Sequence, residues 1–598
     1  MKHVEKWMAV IGWALLQVPA QAVDIEKANN TTALDSTGSW LGGSAPDSTN
    51  VAVWGSALTT DRTASLNGAS LSWAGIRSTS SFNHTISGSG ALTLGASGID
   101  LSSAGGNFSF AFPAGSIVIG ADQTWNIAAG RTLSFSNFSS SGSGKVTLNG
   151  SGAVSFSGAV FGTGALNIDG NIKLRPTSVA IGNALNANSD FSIYTTNGAG
   201  TFTLNGGMNI GSGTGTRTIT VGYADGAGTM GLIFGTASTE ISGNGTLAFA
   251  YDVASTRSSV GVRIENKVNV AAIHVGSNVN LYFNTSDRLS TAAPVAATVD
   301  GQFYLSNGSG ASASQTVKSL SGGGTVRTTA GATLTIDGGT GTGSTTFSGN
   351  VIDGTNTVSV TKTGSTLQVF AGTNTYTGTT TINAGTLLIN GTHVQAATGN
   401  GYAVNNGGTL GGTGLIRRNS AGNTAVMVAV ASGGSVAPGG NGVIGSFTLD
   451  GQSLTGTTAK HLTMAANSTF SFDLAGNGSG ADTLDFWSYA SGELTLNNNA
   501  VNFSLQGPKA IGSYTVDLFR FYNDSGTTLT ISGITNGLTL GTLGEGIGTA
   551  SFDYTTTPGL IRLNYTVTVP EPSTWALAGA GLAALLWRRR RARGTSIS

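Results

Sequence analysis

FSGNVIDGTNTVSVTKTGSTLQVFAGTNTYTGTTTINAGTLLING, from Phe347 to Gly391, is the stretch whose reading decides the fold. The run Val358-Ser359-Val360-Thr361 alternates apolar and hydroxyl-bearing residues, the two-residue period of a half-buried strand. Glycines at 364, 372, 378 and 385 break the stretch at close intervals. Glycine reaches turn conformations that other residues avoid. No run is long enough to bury its own apolar face. Such units are stable only when stacked so that neighbours share a core.

The same grammar recurs outward from this stretch. A small-Gly-x-Gly corner followed by an apolar position appears at Ser87-Gly88-Ser89-Gly90, Ser141-Gly142-Ser143-Gly144, Ser242-Gly243-Asn244-Gly245 and Ser321-Gly322-Gly323-Gly324. A turn feeding an alternating strand appears at Ala129 to Phe135, Ala330 to Ile336 and Ala384 to Ile389. Helix signals are scarce before residue 570. The expected fold is all-β, a parallel β-helix or β-solenoid body with an N-terminal signal helix and a short C-terminal transmembrane helix. An array of β-sandwiches is the alternative.

Composition fits a stacked coil better than a disordered chain. Of 598 residues, 92 are glycine, but apolar residues still make up 39%. Charged residues are 9%, against a usual share of about 25%. The 28 acidic residues balance 28 Lys plus Arg, so nothing in the body points to nucleic acid. Cysteine is absent, which excludes disulfides, thiolate metal sites and cysteine nucleophiles.

The two ends break this pattern. Lys2 and Lys6 precede an apolar run from Trp7 to Val18, then Pro19 and the small-x-small triplet Ala20-Gln21-Ala22. This reads as a secretory signal peptide over 1–22, cleaved after Ala22, which implies Sec-type export machinery as a partner. At the other end stand Pro570-Glu571-Pro572, an apolar segment to Trp587, and the arginines Arg588, Arg589, Arg590, Arg591 and Arg593. Proline excludes a helix start before Ser573. The segment 573–587 would then span roughly 22 Å, short of the ~30 Å hydrocarbon core. The arginines resist translocation, leaving them cytoplasmic and the body outside.

Val569 to Arg593 resembles the PEP-CTERM sorting signal of Gram-negative bacteria, with its motif, helix and basic tail in order. The resemblance implies cleavage near Pro570-Glu571-Pro572 by an exosortase-type membrane protease. It also implies transient anchoring in the inner membrane before release to the cell surface or extracellular space. Phe347 to Gly391 resembles the autotransporter-associated β-strand repeat, carried by Thr361-Lys362-Thr363-Gly364, Asn374-Thr375-Tyr376-Thr377-Gly378 and Thr381 to Leu387. Repeat motifs extend over 317–450 within a repeat body of 81–450. Residues 23–80 read as an N-terminal cap or first coils, and 451–569 as C-terminal β coils or a cap. That last region is too short for an autotransporter's outer-membrane barrel.

Candidate chemistry is sparse. His84, His274, His393 and His461 show no metal-ligand spacing and are expected at the surface. Asp473, Asp482 and Asp485 form the densest acidic group, and Gly478 to Leu484 loosely resembles a calcium-binding repeat. Trp40, Trp54 and Trp73 read as a cap over the end of the stack, or as faces for glycans. No catalytic residue, metal site or cofactor is assigned. The function implied is that of an exported structural or adhesin-like protein in contact with extracellular polysaccharide. The alternative is a polysaccharide-binding or polysaccharide-degrading β-helix.

Overall fold

The strands inside Phe347–Gly391 do not pair with their neighbours in sequence. Val358–Thr363 lies between Ala332–Asp337 and Thr380–Ile382, parallel to both. Leu367–Phe370 lies between Ser344–Phe347 and Gly385–Ile389, and Thr373–Asn374 beside Thr392–Gln395. Each turn of chain therefore contributes one strand to each of three parallel columns. Leu367 sits beside Thr386, 19 residues on, and Thr392 beside Leu415, 23 residues on. This is the expected β-solenoid.

The computed structural model describes residues 22–593 except 137–138, 159–160, 178, 196–200, 224–231, 236–237, 256–257, 307–312, 396–400, 419–424, 441, 452–458, 489–491, 524–536, 558 and 569–571. The expected signal helix, with Ala20, lies outside the described residues. The chain forms two compact units, Met1–Thr196 and Asn197–Ser598. In the first, the 18-residue strand His84–Leu101 bends through several ladders, pairing with Arg62–Ser65, Ser70–Ser78, Phe108–Ile119 and Gln123–Ile127. Its interior stacks Ile99, Trp125, Leu148, Ile168 and Ala187 in register, all buried. In the second unit Val262, Leu281, Phe303, Val326 and Val351 make an equivalent column. Parallel stacking stops near the C-terminus. Leu560–Val567 runs antiparallel to both Gly512–Asn523 and Ile547–Asp553.

The corner glycines do two different jobs. Gly322 has φ +100°, and a Cβ there would fall 2.2 Å from the Val299 carbonyl oxygen of the coil before. Gly324, two residues on, would place a Cβ 2.2 Å from the Gly301 oxygen. Its need is for space. Real Cβ atoms do not approach carbonyl oxygens this closely, so the spacing between coils sets the residue type.

Polar groups enter the interior where the corners leave main-chain groups unpaired. Gln368 donates through Nε2 to the Leu320 and Thr345 oxygens and accepts the Leu320 N–H. Lys362 stands in register between Ile336 and Ile382, and its Nζ reaches the Thr363 and Gly364 oxygens. Burial lowers its pKa to about 8 against the upward pull of Asp337. Lys27 turns its Nζ to the Ala28 and Asn30 oxygens in the same way.

Three of the histidines are inside rather than at the surface, because their ring nitrogens serve the same purpose or fill core space. His393 is fully buried. Its Nδ1 meets the Tyr402 hydroxyl at 2.6 Å, its Nε2 the Tyr376 oxygen at 2.9 Å, and its ring stacks on Tyr376 with centroids 4.1 Å apart. His461 is buried with Nε2 at 2.7 Å from the Trp487 oxygen. His84 is 1% exposed. Among the described histidines, His274 alone lies at the surface as expected, paired to Asp300 at 2.9 Å.

Gly322→Ala and Gly324→Ala should each lower stability by about 1–3 kcal/mol, read as a lower thermal unfolding midpoint. Gly343→Ala, where a Cβ would meet nothing within 4 Å, should leave the midpoint nearly unchanged. Equal midpoints for all three variants would refute the close-approach account. A second prediction concerns acid. Burial lowers the His393 pKa to about 4, well below the ordinary 6.5. The unfolded chain therefore binds the extra proton first, and stability falls as pH drops from about 6.5 towards 4. In His393→Phe this part of the acid dependence should be missing when unfolding midpoints are compared across that range.

Candidate functional site

The C-terminal segment is the first candidate site. Pro570 and Glu571 lie outside the described residues. A single α-helix runs over Pro572–Arg593, so Pro572 stands at its first position, where a missing N–H costs nothing. This helix begins one residue earlier than expected and carries all five arginines. Between 579 and 589 it is exposed throughout. Leu582, Leu585 and Leu586 are 63%, 62% and 56% exposed, so the solenoid does not cover the apolar surface they offer. The expectation of a transmembrane helix is corrected here. No helix among the described residues is long and apolar enough to cross a membrane. The apolar stretch ends at Trp587, and the arginines follow within the same helix. Ala22, the residue just before the expected cleavage site, is partly buried against Val51, Val53 and Ala74 and precedes the first strand, Val23–Glu26.

The acidic group is the second candidate, and the fold divides it. Asp485 leaves the other two for Arg520 on the next coil, which binds it bidentately at 2.7 and 2.8 Å. Asp482 and Asp473 stay together at the base of a hairpin closed by the Asp482 N–H to the Asp473 oxygen. Asp482 is 1% exposed, with Oδ1 accepting the Gly445 N–H and Oδ2 the Asp473 N–H. Burial pushes its carboxyl up to about 7; the two N–H groups pull the other way, and the Asp473 charge adds a smaller upward push. Asp473 accepts Ser504 Oγ and Gln506 Nε2.

These two carboxylates border a cavity of about 280 Å³ with Pro438, Phe472 and Phe503. Carboxylates that cleave a sugar bond must present oxygens across a gap to substrate. Both oxygens of Asp482 point instead at main-chain donors, an arrangement that also suits a cation poorly. Asp482 acts as a staple between the hairpin and Gly445. Among the described residues no group of three His, Asp or Glu side chains could hold a metal ion.

The tryptophans offer no glycan face. Trp40, Trp54 and Trp73 are at most 2% exposed and meet with ring centroids 5.7–6.1 Å apart, and Trp54 packs on Phe108 at 5.1 Å. Trp40 Nε1 donates to the Leu34 oxygen. The indole N–H groups of Trp54 and Trp73 have no acceptor. Aromatic rings do reach the outer surface elsewhere. Tyr282 and Tyr304 stack there, as do Trp487 and Tyr522. No motif marks them. Their only sequence signal is alternation with buried neighbours.

Comparison with known families places two segments. Residues 568–591 match the PEP-CTERM protein-sorting motif, and residues 360–389 match the passenger-associated-transport repeat. No curated protein matches the chain. The repeat match falls on the strands Val358–Thr363, Leu367–Phe370, Thr380–Ile382 and Gly385–Ile389, one turn of the coil and part of the next. The sorting match falls on the segment with the exposed helix. Together they mark an exported, surface-type passenger-like protein whose β-solenoid body precedes an envelope-sorting tail.

Proposed function

We propose that this is a structural, adhesin-like coil of the cell surface, delivered by Sec-type export and sorted by an exosortase-type membrane protease. The observation that carries the reading is the contrast between the two parts. The body buries its apolar residues in continuous columns, whereas Leu582, Leu585 and Leu586 remain uncovered. An uncovered apolar helix ending in arginines suits engagement with a membrane and with a protease that sits in one. The helix does not cross on its own. It holds the chain at the inner membrane until cleavage near Pro570-Glu571-Pro572 frees the body.

The body works without catalysis in this proposal. Its polar rows repeat from coil to coil, so many weak contacts add along one extended ligand or surface. Fold alone does not separate this role from others, and the reading rests on the tail and on the engaged state of Asp473 and Asp482.

The test is expression in a Gram-negative host that carries an exosortase, with fractionation and intact-mass measurement. The wild type should reach the envelope or medium shortened at its C-terminus. A variant with Pro570, Glu571 and Pro572 all changed to alanine should keep its full C-terminus and stay with the inner membrane. Identical location and trimming of the two forms would defeat the sorting role.

A further inference from the structure

We propose that one outer face of the solenoid binds an acidic polysaccharide laid along the stacking direction. The face belongs to the column Val260–Ile264, Val279–Phe283, Gln302–Tyr304 and Thr325–Arg327, all within the second unit. Strand alternation divides each strand between an inner and an outer side. The inner side is the buried Val262, Leu281, Phe303, Val326 column.

The outer side presents two rows in strict register. One row is Arg263, Tyr282, Tyr304 and Arg327. The other is Asn280, Gln302, Thr325 and Asn350. All of these residues are partly or fully exposed. Neither row contains a carboxylate.

The aromatic row is a continuous stack from coil to coil. Tyr282 and Tyr304 stack with centroids 4.5 Å apart and planes at 29°. The Arg327 guanidinium lies over the Tyr304 ring at 5.4 Å. The Tyr304 hydroxyl donates to Gln302 Oε1 at 2.8 Å, tying the aromatic row to the amide row. Successive coils are about 4.8 Å apart, comparable with one pyranose ring along a glycan chain. With the Tyr304 ring held between Tyr282 and Arg327, the outward groups of these rows are hydroxyls and amides, which answer sugar hydroxyls.

Charge decides the class of glycan. Arg263 has a carboxylate neighbour, Glu265, at 2.8 Å. Arg327 has none among the described residues, and its buried Nε meets no acceptor. The Arg327 charge is balanced by no carboxylate among the described residues, which suits a uronate carboxylate bound through the Nη groups rather than the buried Nε. The other aromatic pair lacks this property. Trp487 and Tyr522 stand among Arg417–Asp450 and Arg520–Asp485 pairs, where each guanidinium is already matched.

The proposal deepens the surface reading by giving that coil a ligand, and it can fail alone. The purified full chain should be retained on immobilised polygalacturonate, more weakly as salt rises, and not on dextran. Arg327→Gln and Tyr304→Leu should each weaken retention at least about tenfold, while Tyr522→Leu does not. Far-UV circular dichroism and the melting midpoint check folding. If Tyr304→Leu is misfolded, Arg327→Gln decides. Absence of binding, equal binding to dextran, or full affinity in Arg327→Gln would overturn the site. None of these results would touch the sorting experiment.

Discussion

The structure depends on how closely one coil's backbone must approach the next. Parallel strands sit about 4.8 Å apart, and corners bring main chain against main chain with no room for a side chain. Gly322 and Gly324 show the two consequences. One supplies a backbone conformation, the other an empty space beside a carbonyl oxygen. The earlier corner at Gly142 and Gly144 repeats the arrangement against the Ile119 and Ala121 oxygens. The abundance of glycine is the signature of coil stacking, not of flexibility.

That closeness leaves main-chain groups facing inward, where water cannot answer them. An unsatisfied buried polar group costs about 1–3 kcal/mol, so the chain spends side chains on the problem. Gln368, Lys362, Lys27 and His393 each turn a polar atom to a main-chain oxygen. Asn183 does so three times over, donating to the Phe161, Gly162 and Gly164 oxygens. Asparagine also ladders on the outside, as between Asn405 and Asn383 or Asn186 and Asn167. The scarcity of charge follows, because amides and hydroxyls perform these tasks without the desolvation cost that a lysine bears.

The body and the tail solve opposite problems. In the body, apolar groups are removed from water by repetition, and the run of parallel coils closes against the antiparallel strand Leu560–Val567. A strand of opposite direction does not offer the next coil the same ladder. The tail beyond it leaves Leu582, Leu585 and Leu586 exposed and gathers its arginines at its end. On the proposed reading the solenoid is the scaffold and the helix its handle.

What the sequence determined by itself was local in origin. Alternation and glycine spacing between Phe347 and Gly391 were enough for the coil, because each corner states its own backbone requirement. The order of Pro-Glu-Pro, apolar run and arginines was enough for the sorting tail. Tertiary structure decided the rest, because coil length varies. Leu166 stands beside Leu185, 19 residues away, but Phe447 beside Leu484, 37 residues away. No fixed period therefore says which side chains share a row. That is why Asp485 leaves its neighbours for Arg520, why His84, His393 and His461 lie inside, and why Tyr282, Tyr304 and Arg327 meet on one face. It also separates an apolar helix of the expected place from a membrane span, since the same helix carries the arginines that end its apolar stretch.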